Sequence, residues 1–296
     1  MDPEKRIAIR CSAKINLLLA VTGRREDGFH DILTLFQPVS LFDEIRLSTR
    51  ESGIHLTGDD PSIDWDATNL CHRAASLILD ASGCREGVAI EVRKGIPHGA
   101  GLGGGSSDAA GVIFGLNALL GLGRTAGELA AVGLEAGSDV PFFLGAGPAV
   151  GRGRGEILEP AKGLDEGWLL IVKPPLTIST VWAYDNIKYM LTRSEGEDRL
   201  NCLLKGLKDL PDKRVETYNS FENIAVKEYP EIGEILKILR NGEAVLSSLS
   251  GSGAACFALF DTEERAKRVE KIFTDETYFT CIARPWRKAL KVIRWE

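Results

Sequence analysis

No stretch of this 296-residue chain approaches the ~18 consecutive apolar residues that a membrane span requires. A basic surplus is also missing: 36 Lys and Arg stand against 42 Asp and Glu, for a formal net charge of -6. Nucleic-acid binders usually carry a positive field, so the balance argues against a polyanionic partner while leaving room for a small anion in one pocket. The six cysteines (Cys11, Cys71, Cys84, Cys202, Cys256 and Cys281) include no pair at the spacing of a zinc knuckle or a redox couple. Most lie in apolar stretches and read as reduced core thiols of a cytoplasmic protein. The opening "MDPEKRIAIRCSAK" interrupts every apolar stretch with a charge and makes a poor secretory signal. Internal repeats and low-complexity tracts are absent.

What is present suffices for one large domain or two ordinary ones, with 44% hydrophobic and 26% charged residues. "RIAIRCSAKINLLLAV" alternates as a strand should. Ile7, Ile9, Cys11, Ala13, Ile15 and Leu17 fall on one face, and Arg10, Ser12, Lys14 and Asn16 on the other. "FDEIRLST" and "GVAIEVRKG" read as further strands. "NLCHRAASLILDASG" reads as a helix ending at Gly83, and "SSDAAGVIFGLNALLG" as one ending at Gly121. "TAGELAAVGLEAG" is a third, closed by Gly137. Residues 144–163 are dense in Gly, Pro and Arg and mark a candidate domain boundary. Beyond it the order is a strand, helical material to about residue 240, two strands around the turn "SGSG", a charged helix and a last strand. That is the β-α-β-β-α-β order of a ferredoxin-like domain.

The stretch "GAGLGGGSSDAAG", residues 99–111, is the most unusual in the chain. Glycines ahead of a helix let an anion reach backbone N–H groups that carry about half a positive charge, and serine hydroxyls add donors. Phosphate suits such a cradle; Ser106 or Ser107 also suits the plainer role of helix cap. No lysine separates the glycines from the serines, which excludes the G-x-x-x-x-G-K-[ST] loop. Gly99, Gly101 and Gly104 formally satisfy G-x-G-x-x-G. However, Ile96-Pro97-His98 intervenes after the strand, and a helix follows where a dinucleotide fold needs another strand.

"IPHGAGLGGGSSDAAG" resembles the second motif of the GHMP small-molecule kinases, the family of galactokinase and of homoserine, mevalonate and phosphomevalonate kinases. "SAKINLLLAVTGRREDGFHDILTLFQ" (residues 12–37), "GSDVPFFL" (137–144) and "LSGSGAACF" (249–257) agree in order and spacing, so the likeness runs from about residue 7 to residue 260. It implies an α+β fold of two domains. Residues 1–155 would form an ATP-binding domain of the left-handed-crossover, ribosomal S5 domain 2-like type. Residues 156–296 would form a ferredoxin-like domain whose last strand returns to the first.

The catalytic pair implied is Lys14 and Asp139, a cation and a carboxylate beside the transferred phosphoryl group. Read alone, Lys14 is more simply a solvated sheet lysine and Asp139 a helix N-cap before Pro141. ATP would lie over Gly99, Ala100, Gly101, Leu102, Gly103, Gly104, Gly105, Ser106 and Ser107, with its adenine near Asn69, Leu70, Lys94 and Pro97. Asn69 also reads as a helix cap. Mg2+ would accompany ATP, with no protein ligand assigned.

The three consecutive glycines followed by Ser-Ser-Asp-Ala-Ala match a branch whose acceptor is a methylerythritol joined to cytidine diphosphate. Its usual Gly-Tyr-His is Gly28-Phe29-His30 here, which keeps a ring for stacking and loses the phenol oxygen. The second ring would be Tyr184, with Trp182 as the alternative, and His30 would read the edge of the base. Asn16, Thr180, Gly251, Ser252 and Gly253 would complete the acceptor site. The expected partners are these small molecules alone, in a monomer or weak homodimer. A kinase of other specificity and a non-catalytic nucleotide-binding module are the competing readings. Retention of both Lys14 and Asp139 speaks against the module.

Overall fold

In a computed structural model that describes residues 5–145, 147–210 and 213–295, two long strands form the spine of the fold. β1 (Arg6–Arg24) and β2 (His30–Arg50) pair antiparallel along nearly their whole length. Only the second half of β2 is legible as a strand from its pattern. Residues 32–39 are buried on both faces, so the alternation that marks a half-solvated strand is missing there. The remaining strands of this sheet are β3 (Ile54–Gly58), β4 (Gly87–Arg93), β5 (Ala149–Arg152), β6 (Ile157–Pro160), β8 (Tyr218–Asn219) and β12 (Leu290–Ile293). The order is β12-β1-β2-β4-β3, with β5 on β2, β6 on β5 and β8 on β1. The stretch expected as a boundary, residues 144–163, therefore contains the β5–β6 hairpin of this same sheet. Glycine and arginine at its turn hid it.

The outer edge of β1 changes partner as it runs. β12 pairs with Ala8 to Cys11, the Lys14 N–H donates to the Leu102 carbonyl at 2.9 Å, and β8 pairs with Leu18 and Leu19. Of the polar face of the strand Arg10 is exposed, while Ser12, Lys14 and Asn16 are at most 4% exposed. These three line the inside of the molecule.

Four helices cover one side of the sheet: α1 (Leu70–Ser82), α2 (Gly104–Leu119), α3 (Ala126–Ala136) and α4 (Val140–Leu144). Ile78, Ala109, Val112, Ile113, Leu116 and Phe142 join Ile9, Cys11 and Ile45 in the core below them. The second sheet has β7 (Trp168–Lys173), β9 (Leu246–Leu249), β10 (Cys256–Phe260) and β11 (Phe279–Ala283), in the order β11-β7-β10-β9. Numbered within the domain, that is 4-1-3-2, the arrangement the β-α-β-β-α-β reading calls for. Leu169 and Ile171 face the core shared with Ala13, Ile15 and Leu17 of β1. Leu170 and Val172 face the opposite core, which α5 (Thr180–Asp185), α7 (Glu222–Glu228), α8 (Pro230–Asn241) and α9 (Glu263–Glu270) supply. α6 (Arg193–Gly206) packs on β1.

The expectation of core thiols holds for Cys11, Cys71 and Cys256, which are buried and unpaired. It fails for Cys202, which is exposed on α6, and in part for Cys84 and Cys281, which are half-buried. No described helix is long and apolar enough to cross a membrane. The first four residues of the N-terminal stretch lie outside the described residues.

Candidate active site

The glycines ahead of α2 are needed where the two domains touch. Gly101 and Gly103 both have φ of +73°, a left-handed conformation that L side chains adopt at a cost. A Cβ on Gly101 would overlap the Ser250 carbonyl oxygen and sit 2.9 Å from that of Gly253. One on Gly103 would sit 2.8 Å from the Phe143 ring and 3.0 Å from the Lys14 side chain. The turn between β9 and β10 closes on this loop from the other side. The Ser250 hydroxyl donates to the Gly101 carbonyl at 3.0 Å, and the Ala255 N–H donates to that of Ala100.

α2 begins at Gly104, two residues earlier than the pattern suggests, with Gly103 as its cap residue and no side chain capping it. Neither Ser106 nor Ser107 takes that role. Ser107 is fully buried, and its hydroxyl donates to the Ser12 carbonyl at 2.7 Å. Its N–H is used by the Gly103 carbonyl, so it offers a phosphate neither donor. Ser106 lines the cavity in front of the helix. Ala100 and Leu102 turn their side chains into the core and are buried; they anchor the loop. The result is an open helix N-terminus on a pinned glycine loop, a shape and charge suited to phosphate.

Lys14 and Asp139 meet at this mouth. The ammonium lies 3.7 Å from Asp139 Oδ2, donates to Asn16 Oδ1 at 2.7 Å, and stands 5.6 Å from the centre of the Phe36 ring. Burial lowers the Lys14 pKa from its ordinary 10.5, and the Asp139 charge opposes that shift. Asp139 precedes α4 but does not cap it, so the plainer reading of this residue fails. Its carboxylate is free to face the cavity. Asn16 is a junction as well as a wall. Its Oδ1 also accepts the Gly251 N–H at 2.9 Å, and its Nδ2 donates to Thr34 Oγ1 at 2.8 Å.

The cavity they share has a volume of about 550 Å³, within the range of small-molecule sites. It brings together Lys14, Asn16, Phe29, His30, Gly101, Gly103, Ser106, Asp139, Thr180, Tyr184, Gly251 and Ser252. Thr180 Oγ1, at the start of α5, and Ser252 Oγ, in the β9–β10 turn, are 3.2 Å apart. Tyr184 is the aromatic residue of α5 that lines the cavity, whereas Trp182 packs on Tyr229. The ring stacked on Tyr184 is that of His30, with centroids 5.0 Å apart, and the group above the half-exposed Phe29 is the Arg154 guanidinium, at 4.5 Å. Each of the two rings expected to hold the base therefore has a protein side chain against one face. Burial and Arg24 lower the His30 pKa from 6.5, which keeps the imidazole neutral near pH 7. Burial, with Asp139 nearby, pushes the Tyr184 hydroxyl well above its ordinary value.

Arg24, Phe36, Ser138, Arg154, Asp185 and Phe221 also line the cavity and were not singled out from the sequence. Arg24 lies within the quoted stretch of residues 12–37, and Arg154 sits in a Gly-Arg-Gly turn that read as a boundary. Gly104, Gly105 and Gly253 do not line the cavity: the first two open α2, and Gly253 lies in the β9–β10 turn with φ of +97°. The residues expected around adenine stand on the other side of the loop. Asn69 caps α1, accepting the Cys71 N–H at 2.9 Å, and a Cβ on Gly105 would stand 3.6 Å from Leu70. Pro97 is half-buried and leads into Gly99, whose φ is +63°. The Lys94 ammonium is held between Asp43 and Asp108 beneath α2.

Fold and cavity together define a small-molecule kinase. Residues 69–147 match the GHMP kinases N terminal domain and residues 201–278 the GHMP kinases C terminal region. The 4-diphosphocytidyl-2-C-methyl-D-erythritol kinase of Geobacter metallireducens is 36% identical over 280 residues, covering 94% of this chain and 98% of that protein. The enzyme of the same name from Syntrophotalea carbinolica is 40% identical over 257 residues, covering 86% of this chain and 90% of its own. A crystal structure of 4-(cytidine 5'-diphospho)-2C-methyl-D-erythritol kinase superposes with a TM-score of 0.78 at 34% identity, covering 95% of this chain and 100% of the other. The chain belongs to the GHMP kinase family, on the branch of its 4-diphosphocytidyl-2-C-methyl-D-erythritol kinases.

Proposed function

We infer that the protein transfers the γ-phosphoryl group of ATP to the 2-hydroxyl of 4-diphosphocytidyl-2-C-methyl-D-erythritol, releasing ADP, in non-mevalonate isoprenoid synthesis in the cytoplasm. One observation carries the reading. A single cavity holds a buried ammonium 3.7 Å from a carboxylate that makes no helix-capping bond, between an open helix N-terminus and an aromatic wall.

Asp139 takes the proton of the acceptor hydroxyl as its oxygen forms the new bond to phosphorus and the bond to the ADP oxygen breaks. Lys14 orients that carboxylate and stabilises charge developing on the attacking oxygen and the phosphoryl group. The amides opening α2 and the Ser106 hydroxyl hold the phosphates. Phe29, His30 and Tyr184 take the cytosine once His30 and Arg154 move aside. A neutral His30 can both donate to and accept from the edge of the base. Asn16, Thr180 and Ser252 serve the methylerythritol hydroxyls.

Among the described residues no group of three or more Asp, Glu, His or Cys side chains forms a metal cage. A Mg2+ carried on ATP keeps most of its waters and asks for one or two protein oxygens, which Ser106 and Asp139 would supply. When bound it neutralises charge on the β- and γ-phosphates.

The test is ADP release with the cytidyl acceptor beside homoserine, mevalonate and galactose. Turnover is expected with the first alone. Asp139→Asn should lower kcat by about 10²–10⁴-fold while ATP still binds. Turnover with another acceptor at a similar rate overturns the assigned specificity, and loss of ATP binding in the variant makes Asp139 a scaffold residue.

A further inference from the structure

β8 is two residues long, and its pairing with Leu18 and Leu19 of β1 brings Asn219 against the turn between β9 and β10. The side chain is 6% exposed, and both ends of its amide are engaged. Nδ2 donates to the carbonyls of Leu249 and Gly251 at 2.8 and 2.9 Å, and Oδ1 accepts the Phe221 N–H at 2.8 Å. Asn219 does not line the cavity, but Gly251, Ser252 and Phe221 do. The bond to Leu249 alone would tie β8 to β9. The second donor fixes a peptide that reaches the substrate space.

Gly251 is gripped on both sides. Its N–H goes to Asn16 Oδ1 at 2.9 Å and its carbonyl to Asn219. With both groups held, the peptide that joins it to Ser252 cannot flip. That peptide is trans, and a trans peptide is planar with its N–H opposite its carbonyl. Holding the Gly251 carbonyl on a side chain outside the cavity therefore turns the Ser252 N–H the other way. Among the described residues this N–H donates to no group. Ser252 borders the cavity, and its hydroxyl stands 3.2 Å from that of Thr180. An unspent donor one residue from the contact with Asn16 suits an oxygen of the acceptor.

We propose that Asn219 is a positioning residue for the acceptor: it orients the Gly251–Ser252 peptide so that the Ser252 N–H donates to an acceptor oxygen. The assignment rests on the cavity taking the cytidyl acceptor. It is tested on the full chain by amide NMR with isotope-labelled serine, by titration calorimetry and by steady-state kinetics. In the wild type the Ser252 amide should move downfield and become protected from exchange when the acceptor is added. Asn219→Ala should raise the Kd and KM for the acceptor about tenfold, with the ATP Kd and kcat changing less than about threefold. Asn219→Ser keeps one donor and should recover part of the loss. If neither variant folds, the wild-type titration decides alone. A Ser252 amide unmoved by bound acceptor overturns the proposal. So does wild-type acceptor affinity in folded Asn219→Ala, or an equal rise in Kd for ATP and acceptor, which would make Asn219 a general brace of the domain junction. Failure of the wild-type protein to bind the acceptor would overturn the reading of the cavity instead.

Discussion

Replacing Asn16 by alanine removes an amide that joins three parts of the site. It accepts from Lys14 at 2.7 Å and from Gly251 at 2.9 Å, and it donates to Thr34 at 2.8 Å, all in a residue 2% exposed. A buried hydrogen bond to a charged group contributes about 1.5–3 kcal/mol and a neutral one about 1 kcal/mol. The three share one side chain and are not additive, so a loss of about 3 kcal/mol is expected. Against a total of roughly 5–15 kcal/mol the variant should still fold. The sharper effect is on Lys14, left with Asp139 at 3.7 Å as its remaining polar side-chain contact. Burial already lowers its pKa below 10.5, and losing the acceptor lowers it further. Catalysis needs the ammonium, so activity falls as pH rises through this pKa, and the alkaline limb of kcat should move to lower pH in the variant. Between the lowered pKa and 10.5 the unfolded chain binds more protons than the folded one. Stability from this group therefore rises with pH across that window, more widely in the variant. Urea unfolding and kcat profiles from about pH 6 to pH 10 measure both effects. An alkaline limb coincident with that of the wild type would refute the reasoning.

Gly101→Ala puts a side chain at a φ of +73° and against the Ser250 carbonyl. The conformation costs about 1–2 kcal/mol, and the overlap forces the two glycine turns apart. Displacement of ~1 Å costs about 10²-fold in rate, so kcat/KM should fall about that far beside a modest drop in Tm; wild-type kinetics would refute it. Phe29 is 50% exposed, so Phe29→Ala should change stability by less than about 0.5 kcal/mol. Loss of stacking should raise the acceptor KM about fivefold or more, with the ATP KM unchanged; equal change in both contradicts the assignment of that ring to the base.

Chemistry at short sequence separation was legible. The glycine loop could be named because its residue types adjoin in the chain, whereas Lys14 and Asp139 were named through the resemblance, each having a plainer role when read alone. Residues whose roles depend on distant partners were harder. Asn16 read as a pocket residue, yet Gly251, 235 positions away, accounts for half of what its oxygen does. Ser107 read as a phosphate donor because nothing in "GGGSS" says which hydroxyl the Ser12 carbonyl will claim. The β5–β6 hairpin was lost because its turn residues matched a linker, and the first half of β2 because burial on both faces erases alternation. Lys94 was visible as a charge, but its partners lie 51 and 14 residues away.

Three features of the active cavity are each incomplete without a ligand. The Lys14 ammonium is buried with one carboxylate at 3.7 Å, the N-terminus of α2 has no side-chain cap, and Asp139 sits at a helix start without capping it. Each arrangement costs the free protein stability that a cap or a closer pair would supply. All three border the same 550 Å³ space. A molecule that brings anionic oxygens to the ammonium and amides, and a hydroxyl to the carboxylate, would satisfy them together. A phosphoryl donor and an alcohol acceptor meeting in that cavity supply both, so the unmet polar groups are better explained by the reaction than by the fold.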